Sequence, residues 1–320
     1  MVSVGQRGGR TPMSRGHVLC IVGPTAVGKS EVAERVAAML DGEVVSVDSM
    51  QVYRGMDIGT AKVPRDKRTR SLHMVDVAGF DEPYSVAQFQ HDARACIDEL
   101  LLHATLPVLC GGTGLYLDAV IDNMEFPHGV VGGQGRTAYE RMAEEEGPEA
   151  LHALLTERDP SSALEIHPHN VRRVVRALEM LDEGVSYSEH HKGLKRRTPH
   201  YDARIWALTL PREALYAVID KRVEGMFNNG LVDEVESLRE QGLETCATAC
   251  KAIGYKEVLA YFHGEVTLDE ARELVKRNTR RYAKRQLSWI RRDGRAQVLD
   301  MTHMDSGKAA QLIADDWRSM

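Results

Sequence analysis

Eight residues near the N-terminus have the types and the spacing of a phosphate-binding loop. They are Gly23, Pro24, Thr25, Ala26, Val27, Gly28, Lys29 and Ser30. Glycines let backbone amides turn toward an anion, a lysine ammonium can reach terminal phosphate oxygens, and a serine hydroxyl can bind Mg²⁺ at a positive helix N-terminus. The chain is therefore expected to bind a di- or triphosphate, with Ser30 as a ligand of Mg²⁺.

The segments around this loop predict a parallel sheet. Apolar runs at 18–22, 44–47 and 107–110 read as short strands, and helical apolar spacing follows at 29–40 and 84–102. Alternating strands and helices place ligands beyond the carboxyl ends of the strands. Three loops should therefore meet there, at 23–30, at 48–51 and at 111–113.

We expect an α/β fold, a P-loop core whose parallel sheet is flanked by helices, with an inserted all-helical domain. The core would comprise residues 17–125 and 204–320, and the helical insertion residues 126–203, where no convincing strand is found. Residues 1–16 are rich in Gly and Arg without hydrophobic periodicity, which indicates a disordered leader.

Composition excludes several classes of protein. The chain has 320 residues, of which 43% are apolar, so it can bury a large core. No apolar run approaches the roughly 18 residues of a membrane span, and no signal peptide is recognisable, so a cytoplasmic protein without membrane contact is expected. The five cysteines form no CxxC pair and are read as reduced thiols.

The distribution of charge matters more than the net charge of −6. Nine cations and one acid lie between Lys276 and Arg295, Arg280, Lys284 and Arg285 among them, and a second basic run holds Lys192, Lys195, Arg196 and Arg197. Such runs often form a solvated helix face. Together with a phosphate-binding loop, they favour a polyanionic partner.

Asp48 follows a predicted strand and is the first candidate for acid–base chemistry or for organising Mg²⁺. The run from Asp48 to Lys62, DSMQVYRGMDIGTAK, is unusual for a nucleotide kinase and carries donors and acceptors suited to a base edge. With this run, the sequence resembles the tRNA dimethylallyltransferase family over nearly its whole length. The resemblance also rests on GPTAVGKS, YSVAQF, GGTGLYL, IHPHNVRRVVRALE, KAIGYKE and RRYAKRQLSWIRR.

The resemblance implies transfer of a dimethylallyl group from dimethylallyl pyrophosphate to the exocyclic amine of the adenosine adjacent to the anticodon of a tRNA. Asp48 matches the family's general base and Arg222 its pyrophosphate-contacting arginine. Thr113, in the Gly111-Gly112-Thr113 match, would bind near the amine or the bridging oxygen. Without the resemblance, Asp48 as a magnesium ligand, Thr113 as a helix cap and Arg222 as a solvated side chain stay open.

The resemblance also implies a tRNA-binding set, and a target base that leaves its stack. That set comprises Asp48, Ser49, Met50, Gln51, Thr113, Arg136, Arg172, Arg173, Val174, Val175, Arg176, Lys251, Ala252, Ile253, Gly254, Tyr255 and Lys256. The basic run adds Arg280, Lys284 and Arg285. The helical insertion is expected to grip the anticodon stem, and the enzyme is expected to be a monomer of bacterial type.

The sequence departs from the family pattern at a few positions: His169 and Asn170 in HPHN, Val63 after GTAK, and the pair Leu72-His73. They put individual tRNA contacts in doubt rather than the activity. Two rivals remain. One is a small-molecule kinase that binds Mg²⁺·ATP in the loop, and the other is a non-enzymatic RNA-binding module that uses the basic C-terminal helices.

Overall fold

The computed structural model describes residues 16–126, 134–194 and 197–320. Two compact units are present: one contains the residues up to Ile121 together with Pro199–Met320, and the other is Asp122–Thr198. The predicted leader, apart from Gly16, and Lys195 and Arg196 of the second basic run lie outside the described residues.

Among the described residues, the first unit contains both strands and helices, whereas the second has helices as its regular elements. The strands are β1 His17–Val22, β2 Gly42–Val47, β3 Leu72–His73, β4 Leu106–Gly111, β5 Asp202–Thr209 and β6 Ala296–Asp300. The helices of the first unit are α1 Lys29–Met39, α2 Val86–Leu102, α3 Gly114–Ile121, α9 Arg212–Asn228, α10 Leu231–Glu240, α11 Tyr255–Phe262, α12 Leu268–Ile290 and α13 Ser306–Arg318. Those of the second are α4 Gln134–Glu145, α5 Pro148–Arg158, α6 Pro160–Glu165, α7 Val171–Asp182 and α8 Tyr187–Leu194.

The six strands form one parallel sheet in the order β3-β2-β4-β1-β5-β6. Apolar side chains cover both of its faces, because successive residues of a strand point to opposite sides. Val18, Cys20 and Val22 join one core cluster, whereas Leu19 and Ile21 join the other. The predicted α/β class and the parallel sheet flanked by helices are confirmed.

Strand β3 is the element that sequence patterning missed. The segment from Ser49 to Asp81 lacks periodicity, yet Leu72 and His73 pair with Val44 and Val45 at the edge of the sheet. Two residues are too few to produce an alternation, so only the neighbouring strand reveals them. Leu72-His73, one of the places where the sequence departs from the pattern of the family that it resembles, is thus the edge strand itself.

The helical unit has its own core. Leu151, Leu155 and Leu178 are fully buried within it, and the carboxylate of Asp159 caps α6 and accepts hydrogen bonds from Ser161, Ser162 and Ser186. Its limits are 122–198 instead of the predicted 126–203, and at the C-terminal end the residues that lead into β5, which begins at Asp202, belong to the first unit. Within the described ranges of the chain, no helix is long and apolar enough to cross a membrane.

Candidate active site

A cavity of about 580 Å³ lies at the carboxyl ends of the central strands in the first unit. All three loops that the sequence singled out line it: Lys29 and Ser30 from the phosphate-binding loop, Asp48 and Gln51 from the loop after β2, and Gly111 from the end of β4. Because β1, β2 and β4 are adjacent and parallel, their carboxyl ends meet at one edge of the sheet. The topology therefore builds this site from distant parts of the sequence.

The phosphate-binding loop turns sharply between β1 and α1. Val27 N–H donates to the Pro24 carbonyl (3.4 Å), and Gly28 has φ of 93°, a conformation that favours glycine. Lys29 Nζ donates to the same carbonyl (3.3 Å). Burial lowers the pKa of the Lys29 ammonium, and the charge of Arg222 lowers it further. The ammonium is therefore incompletely solvated, and an anion bound here would interact with it favourably.

Asp48 is held by its own loop. Its Oδ1 accepts hydrogen bonds from the backbone N–H of Met50 (2.9 Å) and of Gln51 (3.4 Å). The Gln51 side chain is fixed in turn, because Ser46 Oγ donates to its Oε1 (2.8 Å) and its Nε2 donates to the Thr60 carbonyl (3.1 Å). The carboxylate thus enters the cavity on an ordered turn.

Arg222 reaches the cavity from α9, a helix far away in the sequence. Its Nη1 donates to Thr25 Oγ1 (3.3 Å) in the phosphate-binding loop, and burial lowers the pKa of its guanidinium. A solvated position for Arg222 is therefore wrong. Thr113 lies on the opposite loop, where its Oγ1 accepts a hydrogen bond from Ser49 N–H (3.4 Å). It also lies 3.4 Å from the hydroxyl of Tyr282, a residue of α12 that the sequence analysis did not single out.

Two further groups that the sequence analysis missed fasten the loop at residues 57–62. Glu234 accepts hydrogen bonds from the backbone N–H of Asp57 (3.0 Å), Ile58 (2.7 Å) and Gly59 (3.1 Å). The buried ammonium of Lys62 donates to the Tyr53 carbonyl (2.6 Å) and to Asp57 Oδ1 (2.8 Å). Glu234 belongs to an ordinary amphipathic helix, so no sequence signal marked it.

Comparison with known proteins decides the family. The model of the IPP transferase family matches residues 51–293. The chain belongs to this family. A tRNA dimethylallyltransferase of Geobacillus kaustophilus is 46% identical over 300 residues, which cover 93% of this chain and 94% of that protein.

Solved structures of the family agree. The chain is similar to the full-length tRNA isopentenylpyrophosphate transferase of Bacillus halodurans, with 41% identity and a TM-score of 0.70 over 95% of this chain and 96% of that one. A eukaryotic dimethylallyltransferase, described as acting on tRNA, shares 27% identity with a TM-score of 0.79 and covers 95% and 80% of the two chains. The fold and the family that the sequence predicted are confirmed.

The family motifs divide into surface and core once their side chains are located. Arg172 and Arg173 are exposed on α7, whereas Val174 and Val175 of the same motif are fully buried in the helical core. Val174 and Val175 belong to the predicted tRNA-binding set, but their buried side chains offer no surface to tRNA. They hold the helix that displays the arginines.

The KAIGYKE motif divides in the same way. Lys251 and Lys256 are exposed and Ile253 is half-buried, but Ala252 and Tyr255 are core residues. The Tyr255 hydroxyl donates to Glu234 Oε1 (2.6 Å). Gly254, with φ of 99°, is the N-cap of α11. The side chains of Ala252 and Tyr255 therefore pack in the core, although both residues belong to the predicted tRNA-binding set.

Several predicted tRNA-binding cations are engaged within the protein. Arg280 Nη1 contacts both carboxylate oxygens of Asp220 (3.0 and 2.9 Å). Arg136 pairs with Glu140 and Glu179, and Arg176 lies 3.8 Å from Glu179. Lys284 and Arg285 are exposed on α12. The exposed cations are therefore the better candidates for binding phosphate groups.

The residues of the cavity fit a magnesium ion. Mg²⁺ prefers oxygen ligands and is usually held by one or two protein groups plus substrate phosphates. Ser30 and Asp48 line the cavity with hydroxyl and carboxylate oxygens, and Oε1 of Glu34, which also lines it, has no hydrogen-bond partner among the described residues. No group of three or more His, Cys, Asp or Glu side chains in the described ranges could hold a metal ion by itself.

Proposed function

We propose that this protein transfers the dimethylallyl group of dimethylallyl pyrophosphate to the exocyclic amine of the adenosine adjacent to the anticodon in tRNA. The observation that carries the proposal is the meeting of a phosphate-binding loop and the carboxylate of Asp48 in one cavity. A kinase would need the same loop, but the relatives of this chain are tRNA dimethylallyltransferases. A prenyltransferase can bind pyrophosphate in the same loop that a kinase uses for the phosphates of ATP, although it catalyses a different reaction.

In the proposed reaction, the amine nitrogen attacks the allylic carbon, the carbon–oxygen bond to pyrophosphate breaks, and the amine proton passes to Asp48. Lys29, Arg222 and the loop amides would hold the leaving oxygens, where negative charge develops. Asp48 would act as the general base, and Thr113 would bind near the amine or the bridging oxygen. Mg²⁺, held by Ser30, would supply additional charge stabilisation on the leaving group when bound.

The tRNA would be gripped through its phosphates by exposed cations of both units. Arg172 and Arg173 belong to the helical unit, and Lys251, Lys284 and Arg285 to the core. Ser49, Met50 and Gln51 line the turn beside Asp48, where the flipped adenosine would be read. The monomeric state and the cytoplasmic location stay predictions.

One assay tests this function directly. The protein is incubated with labelled dimethylallyl pyrophosphate and unmodified tRNA, and the digested tRNA is examined for prenylated adenosine. A matched tRNA with guanosine in place of the target adenosine carries an oxygen at C6 instead of the amine and should remain unlabelled. Equal labelling of both tRNAs, or of neither, would contradict the proposal.

A thermal-shift experiment separates the rivals. A ligand that binds only the folded state stabilises it by RT ln(1 + [L]/Kd), so the tighter ligand gives the larger shift at equal concentration. Dimethylallyl pyrophosphate should raise the melting temperature of this protein more than ATP does at equal concentration. A larger shift with ATP would favour the small-molecule kinase, and a shift with RNA alone would favour the binding module.

A further inference from the structure

The inner face of α12 directs two polar side chains toward the cavity. Tyr282 and Gln286 both line it, and they lie four residues apart, so they share one face of the helix. The exposed Lys284 and Arg285 lie between them in the sequence. This basic segment therefore also contains two polar residues, Tyr282 and Gln286, that face the cavity instead of solvent.

Gln286 connects the two loops of the phosphate site. Its Oε1 accepts a hydrogen bond from Thr25 N–H (2.8 Å), and its Nε2 donates to the Gly112 carbonyl (3.0 Å). The side chain is only 4% exposed. A Cβ atom at Gly112 would collide with the Gln286 amide and approach the Gly23 carbonyl, so the loops are packed tightly around this bridge.

The bridge requires one acceptor and one donor in a fixed order, which a primary amide provides. An apolar side chain would leave a backbone donor of one loop and a backbone acceptor of the other buried without a partner, and each such loss is unfavourable. The Arg222 guanidinium contacts the side chain of the same Thr25. Two helices thus hold this residue, through its backbone and through its hydroxyl.

Tyr282 acts on the other loop. Burial raises the pKa of its hydroxyl to about 12, so the group keeps its proton at neutral pH. Thr113 Oγ1 already accepts a hydrogen bond from Ser49 N–H. If the Tyr282 hydroxyl donates to the remaining lone pair of Thr113, the Thr113 proton is left to point toward a bound ligand.

We propose that Gln286 and Tyr282 are positioning residues of the transfer reaction. Gln286 sets the separation of the phosphate-binding loop from the Gly111–Thr113 loop, and Tyr282 orients the Thr113 hydroxyl. This inference rests on the proposed function, because it takes pyrophosphate as the ligand of the loop. The two residues are expected to have separable effects: Gln286 on the binding of pyrophosphate, and Tyr282 on the rate of the transfer step.

The test of Gln286 compares two amides of the same helix. Asn278 Nδ2 donates to Glu257 Oε1 (2.7 Å) and ties α12 to α11, without lining the cavity. Calorimetric titration with inorganic pyrophosphate, with Mg²⁺ present, should give about tenfold weaker binding or worse for Gln286→Met, because two backbone groups lose their partner. Asn278→Ala should lower the melting temperature and leave the pyrophosphate dissociation constant unchanged.

Unchanged pyrophosphate binding by Gln286→Met would overturn the proposal, and so would an equal loss of binding in Asn278→Ala. Should Gln286→Met fail to fold, Gln286→Glu keeps the size of the side chain and the acceptor for Thr25 N–H. It loses the donor to Gly112, so weaker binding is again expected, and wild-type affinity would contradict the bridge. If the unaltered protein did not bind pyrophosphate, the proposed function itself would fail.

Tyr282→Phe removes one hydroxyl and keeps the ring. Its single-turnover rate of transfer should fall about three- to tenfold, the effect of one neutral hydrogen bond. Its pyrophosphate dissociation constant should stay that of the wild type. A variant that binds pyrophosphate more weakly but reacts at the normal rate once saturated would overturn the assignment of Tyr282 to Thr113.

Discussion

Replacing Asp48 with asparagine tests the general base without dismantling its loop. Asp48 Oδ1 accepts hydrogen bonds from Met50 N–H and Gln51 N–H, and an asparagine side chain offers an oxygen in the same place. An alanine would remove both bonds, each contributing about 0.5–1.5 kcal/mol, and would disturb the turn together with the chemistry. The Asp48→Asn variant loses only the basic oxygen.

The expected loss follows from the role of the carboxylate. General-base catalysis contributes about 10²–10⁴ in rate, which corresponds to about 2.7–5.5 kcal/mol in the barrier. The single-turnover rate constant of Asp48→Asn should fall within that range, with the enzyme saturated by tRNA and labelled dimethylallyl pyrophosphate. The dissociation constants of both substrates should stay within a few fold of the wild type.

Asp57→Asn is the matched control, because Asp57 is a carboxylate of the same loop that pairs with Lys62 and does not line the cavity. Its transfer rate should change little, since Lys62 keeps its second carboxylate partner, Asp76 (2.6 Å). A near-normal single-turnover rate in Asp48→Asn would refute the general-base assignment. An equal loss in Asp57→Asn would show that loop charge, rather than proton transfer, limits the rate.

Three other changes test the phosphate site and the tRNA surface. Arg222→Ala should weaken the binding of dimethylallyl pyrophosphate by about 10- to 150-fold, because it removes a charge-assisted contact of about 1.5–3 kcal/mol. The control is Lys221→Ala, which changes the exposed neighbouring residue and should bind normally in the same titration. Burial lowers the pKa of Lys29, and a bound anion would raise it, so the affinity for dimethylallyl pyrophosphate should be full below the lowered pKa and should fall as the pH rises through it. The Lys29→Arg variant should not show this fall. Identical pH profiles for the two proteins would contradict the reasoning. Neutralising Lys284 and Arg285 together should lower tRNA affinity and flatten its dependence on salt, with donor binding unchanged, and superimposable salt curves would show that the two cations serve solubility only.

Local pattern was sufficient for most of the fold. The helix predicted at 29–40 is Lys29–Met39, and the strand predicted at 107–110 is Leu106–Gly111. The helix is long enough for its apolar periodicity to be read, and the strand is an uninterrupted apolar run. The edge strand at Leu72 was not predicted, because two residues carry no period and their partner is remote in sequence.

The sequence predicted those site residues that belong to one continuous motif. It missed the residues whose roles depend on contacts between segments that are distant in the sequence. Asp48 stands directly after β2, and Lys29 stands at the end of the loop that follows β1, so the rule for parallel sheets locates both. Glu234 and Gln286 are ordinary helical residues whose roles depend on partners more than 170 positions away. No local feature distinguishes them from neighbours on the surface.

The basic run of α12 shows why counting charges misleads on a packed helix. Lys276 and Arg280 turn toward α9, where they pair with Glu224 and Asp220. Lys284 and Arg285 are exposed. A helix has 3.6 residues per turn, so successive side chains point in different directions. Some cations of α12 therefore form ion pairs and others are exposed to solvent, while the inner face of the helix, which carries Gln286, lines the cavity. A cation that is already paired with a carboxylate releases fewer counterions when a polyanion binds, so this segment would offer the proposed tRNA partner a smaller effective charge than its nine cations suggest.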